Sequence, residues 1–427
     1  MTVALAGRVE VVNFGCRLNI AEGEAVRSAA TAAGGRDRIV FNSCAVTDEA
    51  VRQARQAVRR ALRERPGAEV VVTGCAAELE ADAFAAMGAR VVANDAKGLA
   101  ASYEDKNGAS TSSAQTDFNH GATHSPFALS LSKGRSSLPY SPALSGADHA
   151  RAFLGVQTGC SHSCTFCATV LARGAARSAT VDAVLESARI AIDRGQREII
   201  LTGVDLASYG DDSETSLAAL VEALLTLPVE RLRLSSLDPN RIDDALFALL
   251  TQDTRVMPHV HLSLQAGDDM VLTRMKRRHR RADAVRLTER LRAARPDIAI
   301  GADLIAGFPT EDDQMFANSM ALIDDCDIVF GHIFPYSPRA GTPAARMPQV
   351  GRSVARERAA QLREANARRR AEWLDAQVGN AASMLVERDG ISGHAENFAA
   401  LMLATPATPG STAPDTLCAC TGGDHFA

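Results

Sequence analysis

The sequence predicts an α/β chain with an N-terminal doubly wound parallel sheet, a central partial barrel of six βα units and a small C-terminal β module. Two patterns and one break carry that expectation. β-Branched apolar runs alternate with Ala- and Arg-rich helical stretches before residue 100, and a second alternating series starts near 151. Between them, 100–150 is rich in Ser, Ala, Gly and Pro, holds no sustained period and reads as a low-complexity linker. The expected divisions are therefore 1–99, 100–150, 151–375 and 376–427.

In the first series VEVVNFGC (9–16) ends a β-branched run in Gly-Cys, and a helical stretch over about 21–33 follows. RIVFNSC (38–44) repeats the unit with a helix over about 47–65. EVVVTGC (69–75) repeats it with a helix over about 77–87, and ARVVAND (89–95) closes the series. Cys16, Cys44 and Cys75 each fall just past the carboxyl end of a strand. In an open parallel sheet those ends share one edge, where ligands bind. Three small buried residues would be the plainer reading, but the position recurs three times.

The second series offers strands at 152–158, 197–203, 231–237, 259–265, 298–307 and 327–334, with helices such as 181–195 and 216–227 between them. Six such units make a partial barrel, short of the full eight. Its first strand leads into GCSHSCTFC (159–167), which places Cys160, Cys164 and Cys167 at the carboxyl-terminal mouth. Structural zinc takes four ligands and disulfides pair cysteines evenly. Zinc would need a fourth donor, for which His162 is nearest. Three thiols in one tight loop instead suit an iron–sulfur cluster that keeps one iron open.

Bulk properties exclude some classes. Hydrophobic residues are 46% and charged residues 23%, as in a globular protein, and no apolar run approaches the roughly 18 residues of a membrane span. MTVALAGRVE lacks a basic start and a long apolar run, so a cytoplasmic chain with reduced cysteines is expected. Net charge is −5, against polyanion binding, yet RMKRRHRR (274–281), 52–65 and 351–373 are rich in cations. Each of these reads as a solvated helix face or as part of a nucleic-acid surface. His120, His124 and His149 suit no compact metal motif, and Cys418 and Cys420 read as incidental thiols.

CxxxCxxC with Phe166 before its last cysteine resembles the signature of the radical S-adenosylmethionine enzymes. GCRLN, NSCAVTDEA and TGCAAE, around Cys16, Cys44 and Cys75, resemble the amino-terminal domain of the methylthiotransferases. ILTGVDLASYG (200–210), LSSLDP (234–239), HLSLQAGDDMVLTRMKRRH (261–279), GADLIAGFPTE (301–311) and FPYSPRAGTPAARM (334–347) extend the likeness over almost all of the chain but the linker. The resemblance implies two [4Fe-4S] clusters, one on each trio, and S-adenosylmethionine as cofactor. It implies that one cofactor molecule methylates a sulfur held at the amino-terminal cluster. A second, cleaved at the Cys160/Cys164/Cys167 cluster, gives a radical that takes the hydrogen from adenine C2, where the methylthio group then joins. GCRLN and FPYSPRAGTPAARM look most like the enzymes acting on N6-threonylcarbamoyladenosine in the tRNA anticodon loop. Sulfur insertion into another modified adenosine or a ribosomal-protein aspartate is the alternative within the family, and a non-catalytic metal-containing RNA-binding protein is the alternative outside it.

For cofactor binding, the polar strand ends are candidates: Gly203 and Asp205, Ser235 and Ser236, Gln265 and Asp303, alongside Phe166. Strand-end capping explains any one of them equally well. Arg173 and Arg177 could meet a tRNA phosphate or the threonyl carboxylate. CATVLARGAARS departs from the aromatic, Pro-containing stretch usual there but keeps Arg173, Gly174, Arg177 and Ser178. GHAENF (393–398) resembles the TRAM-like RNA-binding module of these enzymes. A reductant such as flavodoxin or ferredoxin is implied, and the sulfur donor is not specified by the sequence.

Overall fold

Residues 7–104, 140–147 and 149–416 are described by a computed structural model of the chain. The first sheet holds β1 (Val9–Asn13), β2 (Arg38–Ser43), β3 (Glu69–Gly74) and β4 (Arg90–Val91), all parallel and ordered β1-β2-β3-β4. α1 (Arg17–Ala32) packs through Val26, Ala29 and Ala30 on Val40 and Val71. α2 (Asp48–Glu64) packs through Val51, Ala54 and Val58 on the opposite face, against Ile39, Phe41, Val70 and Val72. Helices thus cover both faces, but the strand order runs straight through, without the reversal of a doubly wound sheet. α1 starts at Arg17 rather than near 21, because the Cys16 carbonyl already accepts from Asn19 N at 3.0 Å. The helix expected over 77–87 is broken into α3 (Cys75–Leu79) and α4 (Ala81–Ala85), with Glu80 out of helical conformation between them and paired to Arg55.

The parts of 100–150 that are described are packed, which corrects the reading of that whole stretch as linker. Tyr103 is buried and its carbonyl accepts from Arg38. β5 (Ala143–Leu144) pairs antiparallel with β6 (Arg151–Gly155). His149 lies edge-on to Phe153 at 5.9 Å, whereas His120 and His124 lie outside the described residues.

β7 (Gln157–Thr158) pairs with β8 (Arg177–Ser178) after the cysteine loop and α5 (Thr169–Arg173). The barrel then continues with α6 (Val181–Asp193), β9 (Glu198–Thr202), α7 (Leu217–Leu225), β10 (Arg231–Leu234), α8 (Asp244–Gln252) and β11 (His259–Gln265). It closes with α9 (Asp269–Arg274), α10 (Arg281–Ala294), β12 (Ala299–Ala306), α11 (Asp313–Asp325) and β13 (Ile328–Pro335). Thr180, Ser216, Asp243, Asp268 and Asp312 each accept from a backbone N–H of the first turn, so most helix starts are written locally. The parallel strands form two arcs, β10-β9-β6 and β11-β12-β13, joined at a seam by single bridges at Leu232↔Val256 and Leu237↔Leu262. Leu154, Ile199, Leu201, Leu262 and Leu304 are fully buried between strands and helices. Each such side chain stabilises by about 1.5–3 kcal/mol relative to exposure.

α12 (Arg352–Asp375) lies on β13, and its arginines are mostly engaged: Arg358 with Glu311 and Asp313, Arg369 with Asp327. The C-terminal strands β14 (Ala381–Val386), β15 (Ser392–His394), β16 (Ala400–Met402) and β17 (Thr412–Thr416) make an antiparallel sheet ordered β16-β15-β14-β17. It sits against the barrel through Arg151–Glu387, Arg231–Ser383 and Phe398 on His259. Cys418 and Cys420 lie outside the described residues. No described helix is long and apolar enough to cross a membrane.

Candidate active site

The barrel trio is built by one loop. Gly159 has φ +70°, and a Cβ there would lie 2.0 Å from the Ala175 carbonyl oxygen, so only glycine permits the turn into Cys160. Three N–H groups point at the three sulfurs: His162 N to Cys160 at 3.3 Å, Arg277 Nη1 to Cys164 at 3.4 Å and Thr169 N to Cys167 at 3.4 Å. Such donors steady thiolates that hold a cluster. Burial, and then neighbouring Asp205 with its oxygen 3.7 Å away, pushes the free Cys160 thiol up to about 12. His162 places Nδ1 3.6 Å from Cys164, inside the loop rather than across from it.

The second trio comes from three strand ends. Cys16, Cys44 and Cys75 follow β1, β2 and β3, and each raises or feels the charge of the others. Gly15 has φ +83°, and a Cβ on it would come within 2.4 Å of Cys44 Sγ, so the bare glycine is what admits that sulfur beside Cys16. Cys44 is buried, Cys75 half-buried and Cys16 exposed, so the trio opens on one side. Burial pushes the Cys44 thiol up to about 11, with Cys16 adding to the shift.

The two trios face each other because α3, which begins at Cys75, packs against α5, which begins two residues after Cys167. Arg173, on α5, fastens the contact. Its guanidinium donates to Cys75 Sγ at 3.1 Å, to Glu22 at 2.8 and 3.0 Å, to Asn19 Oδ1 at 2.8 Å and to Thr158 Oγ1 at 3.2 Å. Lys97 reaches the same Glu22 carboxylate at 2.5 Å. Burial alone would raise Glu22, but Arg173 and Lys97 bring it down to about 2. Asn94 donates to the Ala172 carbonyl, and Arg339 pairs with Asp48 at 2.8 Å, adding two further ties between the halves.

Arg173 is therefore buried in the junction, not open to a phosphate or a threonyl carboxylate, which corrects its expected role. Arg177 is half-buried on β8 and keeps its side chain unpaired among the described residues. Gly203 lies against Gln157, whose Oε1 accepts from Val204 N and Asp205 N at 2.9 Å each, turning the Asp205 carboxylate toward Cys160. Ser235 and Ser236 follow β10 beside Asp238, which pairs with Arg277 at 2.9 Å. Gln265 ends β11 with φ 71°. Phe166 packs edge-on to Phe308 at 6.4 Å, beneath the loop. Asp303 is not at a strand end: it lies inside β12, where Oδ1 meets His261 at 3.1 Å and His332 at 3.3 Å. These three donors fall within 4.8 Å of one another, close enough for one metal ion. The hydrogen bonds already account for the arrangement.

Arg277, Glu22 and Lys97 escaped the sequence reading. Arg277 was hidden in the basic run 274–281, where charge alone pointed outward; Lys276, Arg278 and Arg280 are the exposed members. The cations of 52–65 are largely paired as well, Arg52 with Glu49, Arg55 with Glu80 and Arg65 with Glu10.

Two family models match this chain: the radical SAM superfamily over residues 154–323 and the Uncharacterized protein family UPF0004 over 8–93. A Rickettsia prowazekii protein called threonylcarbamoyladenosine tRNA methylthiotransferase MtaB is 39% identical over 397 residues, covering 92% of this chain and 90% of its own. An Erythrobacter litoralis tRNA-2-methylthio-N(6)-dimethylallyladenosine synthase is 32% identical, covering 89% and 86%. Among solved structures, the radical S-adenosylmethionine methyltransferase TsrM of Kitasatospora setae aligns with TM-score 0.54 at 15% identity, over 79% of this chain and 74% of that one, a likeness of fold.

Proposed function

The chain belongs to the radical S-adenosylmethionine methylthiotransferases, and we propose that within them it adds a methylthio group to C2 of N6-threonylcarbamoyladenosine in the tRNA anticodon loop. Membership brings S-adenosylmethionine and one [4Fe-4S] cluster, which Cys160, Cys164 and Cys167 would hold. The donor set fits: three thiols in one loop, each met by an N–H. Cys16, Cys44 and Cys75 would hold a second cluster, and with it the sulfur to be inserted. When bound, the two clusters and the cofactor supply the radical and the sulfur.

The protein's own part is positioning. α3 on α5 fixes the spacing of the trios, and Arg173 ties Cys75 to the barrel. Asp205, half-buried beside Cys160, would offer a carboxylate to the cationic end of the cofactor, with Gln157 holding its backbone in place. The observation that carries the reading is this facing of two cysteine trios across one packed helix pair. The exposed Lys276, Arg278 and Arg280, close to the loop, would meet RNA phosphate, and a small electron carrier such as flavodoxin or ferredoxin would supply the electron in the cytoplasm.

Mass spectrometry of tRNA nucleosides from cells with and without the gene tests it. The expected result is loss of 2-methylthio-N6-threonylcarbamoyladenosine with accumulation of its unthiolated precursor. Loss of a different methylthio nucleoside would move the substrate, and no change in any of them would sink the reading.

A further inference from the structure

The adenosine proposed as substrate ends in a threonyl group with a free carboxylate. A site that takes this group out of water must meet its charge, since an uncompensated buried carboxylate is costly. Where the barrel meets the C-terminal sheet lies a layer of charged side chains, and its carboxylates are already matched. Glu198 takes Arg233 at 3.2 and 3.1 Å and Arg151 at 3.4 Å. Glu387 takes Arg151 at 2.5 Å and His394 at 3.4 Å, while Asp303 takes His261 and His332.

Arg17 differs from its neighbours. Its guanidinium makes no hydrogen bond or ion pair with any described residue. Its Cζ lies 5.6 Å from the centre of the Phe398 ring, and Arg233 Cζ lies 4.9 Å from the same centre. The two cations therefore share one aromatic side chain, but only Arg233 also has a carboxylate partner, Glu198. Arg17 is half-buried, so a ligand can reach it. It directly follows Cys16, so its side chain begins at the amino-terminal trio and ends beside Phe398 of the C-terminal module, on the ring that Arg233 of β10 also meets.

We propose that Arg17 receives the carboxylate of the substrate's threonyl group, as a specificity-determining residue that holds the acidic tail of the base beside the amino-terminal cysteine trio. The inference rests on the substrate reading above. A guanidinium is a planar fork of donors that meets a carboxylate through two parallel bonds, which fixes orientation as well as charge. Through the Cys16–Arg17 peptide, the position of the substrate is then tied to the trio that would carry the sulfur.

The test uses the full-length chain with its clusters reconstituted, and two anticodon stem-loop RNAs. One carries N6-threonylcarbamoyladenosine and the other its carboxyl methyl ester. Initial rates of methylthio product are measured for the wild type and for Arg17→Gln, Arg17→Lys and Arg177→Gln. Iron and sulfide per chain are determined for each protein, so that a lost cluster is distinguished from a lost contact.

A charge-assisted pair predicts that the wild type favours the acid over the ester by roughly 10- to 100-fold in kcat/KM. Arg17→Gln should bring the acid down to the ester's rate and erase the preference, and Arg17→Lys should restore part of it. A wild type that treats acid and ester alike overturns the proposal without any variant. So does an Arg17→Gln protein that keeps the preference, or an Arg177→Gln protein that loses it in place of Arg17→Gln. A wild type inert on both RNAs but active on isopentenyladenosine RNA overturns the substrate reading, and the receptor with it. Activity on the acid with discrimination intact in Arg17→Gln overturns the receptor alone.

Discussion

The two cysteine trios have the same three thiols and opposite electrical surroundings. Around Cys75 stand two buried cations, Arg173 and Lys97, against one carboxylate, Glu22. Around Cys160 and Cys164 stand two carboxylates, Asp205 and Asp238, against one cation, Arg277. A site with an excess of positive charge favours anionic guests, such as sulfide on a cluster. A site with an excess of negative charge favours a guest with an ammonium and a sulfonium, as S-adenosylmethionine has. Identical thiols are thus given different surroundings by what lies a few ångströms behind them.

The largest expected effect separates the trios outright. Replacing Cys160, Cys164 and Cys167 by Ala should abolish cleavage of S-adenosylmethionine to 5′-deoxyadenosine. Replacing Cys16, Cys44 and Cys75 should leave cleavage measurable while methylthio product disappears; product from that variant would break the comparison. Next, Arg173→Met leaves the buried Glu22 carboxylate to Lys97 alone and should cost about 1–3 kcal/mol in denaturant unfolding. In a chain that also lacks the barrel cysteines, it should lower the iron retained by the amino-terminal trio.

Glu22 gives a pH signature of the same surround. Burial would raise it, yet Arg173 and Lys97 hold it near 2, below its ordinary 4.5. Its stabilisation is complete above about 4.5 and is lost as pH falls from there toward 2, on the order of 3 kcal/mol in all. Acid unfolding of the metal-free chain, followed by circular dichroism, should be less steep in that window for Glu22→Gln; an unchanged slope would remove Glu22 from the picture. The smallest effect lies on the other side: Asp205→Asn should raise the KM for S-adenosylmethionine roughly tenfold, about 1.4 kcal/mol, with kcat little changed.

The two trios also differ in how they were legible. Cys160, Cys164 and Cys167 could be read from spacing, because eight residues of loop confine them wherever the chain goes. Cys16, Cys44 and Cys75 could be read only through the repeat of strand and helix that puts each at a carboxyl edge. Most of the fold was legible for the same reason: β-branched runs and Ser, Thr or Asp caps act locally. What was hidden is what acts at a distance. Nothing near Glu22 in sequence marks it as the partner of Arg173, 151 residues away. Arg277 sat among five other cations, and only its burial against Cys164 and Asp238 distinguishes it. Asp303 reads as a strand end in the sequence because the run 298–307 does not reveal where the ladder stops; register with His332 on β13 places it inside.

α5 is five residues long, yet it belongs to both halves of the protein. Its first turn continues the barrel's cysteine loop, and its last residue, Arg173, completes the wall of the other trio. The halves are consequently not interchangeable parts. A chimaera that grafted this N-terminal sheet onto a foreign barrel would have to carry Thr169–Arg173 with it, and so would any lineage that exchanged one half by recombination. The crossover point that looks natural in the sequence, within 100–150, falls on the wrong side of that helix.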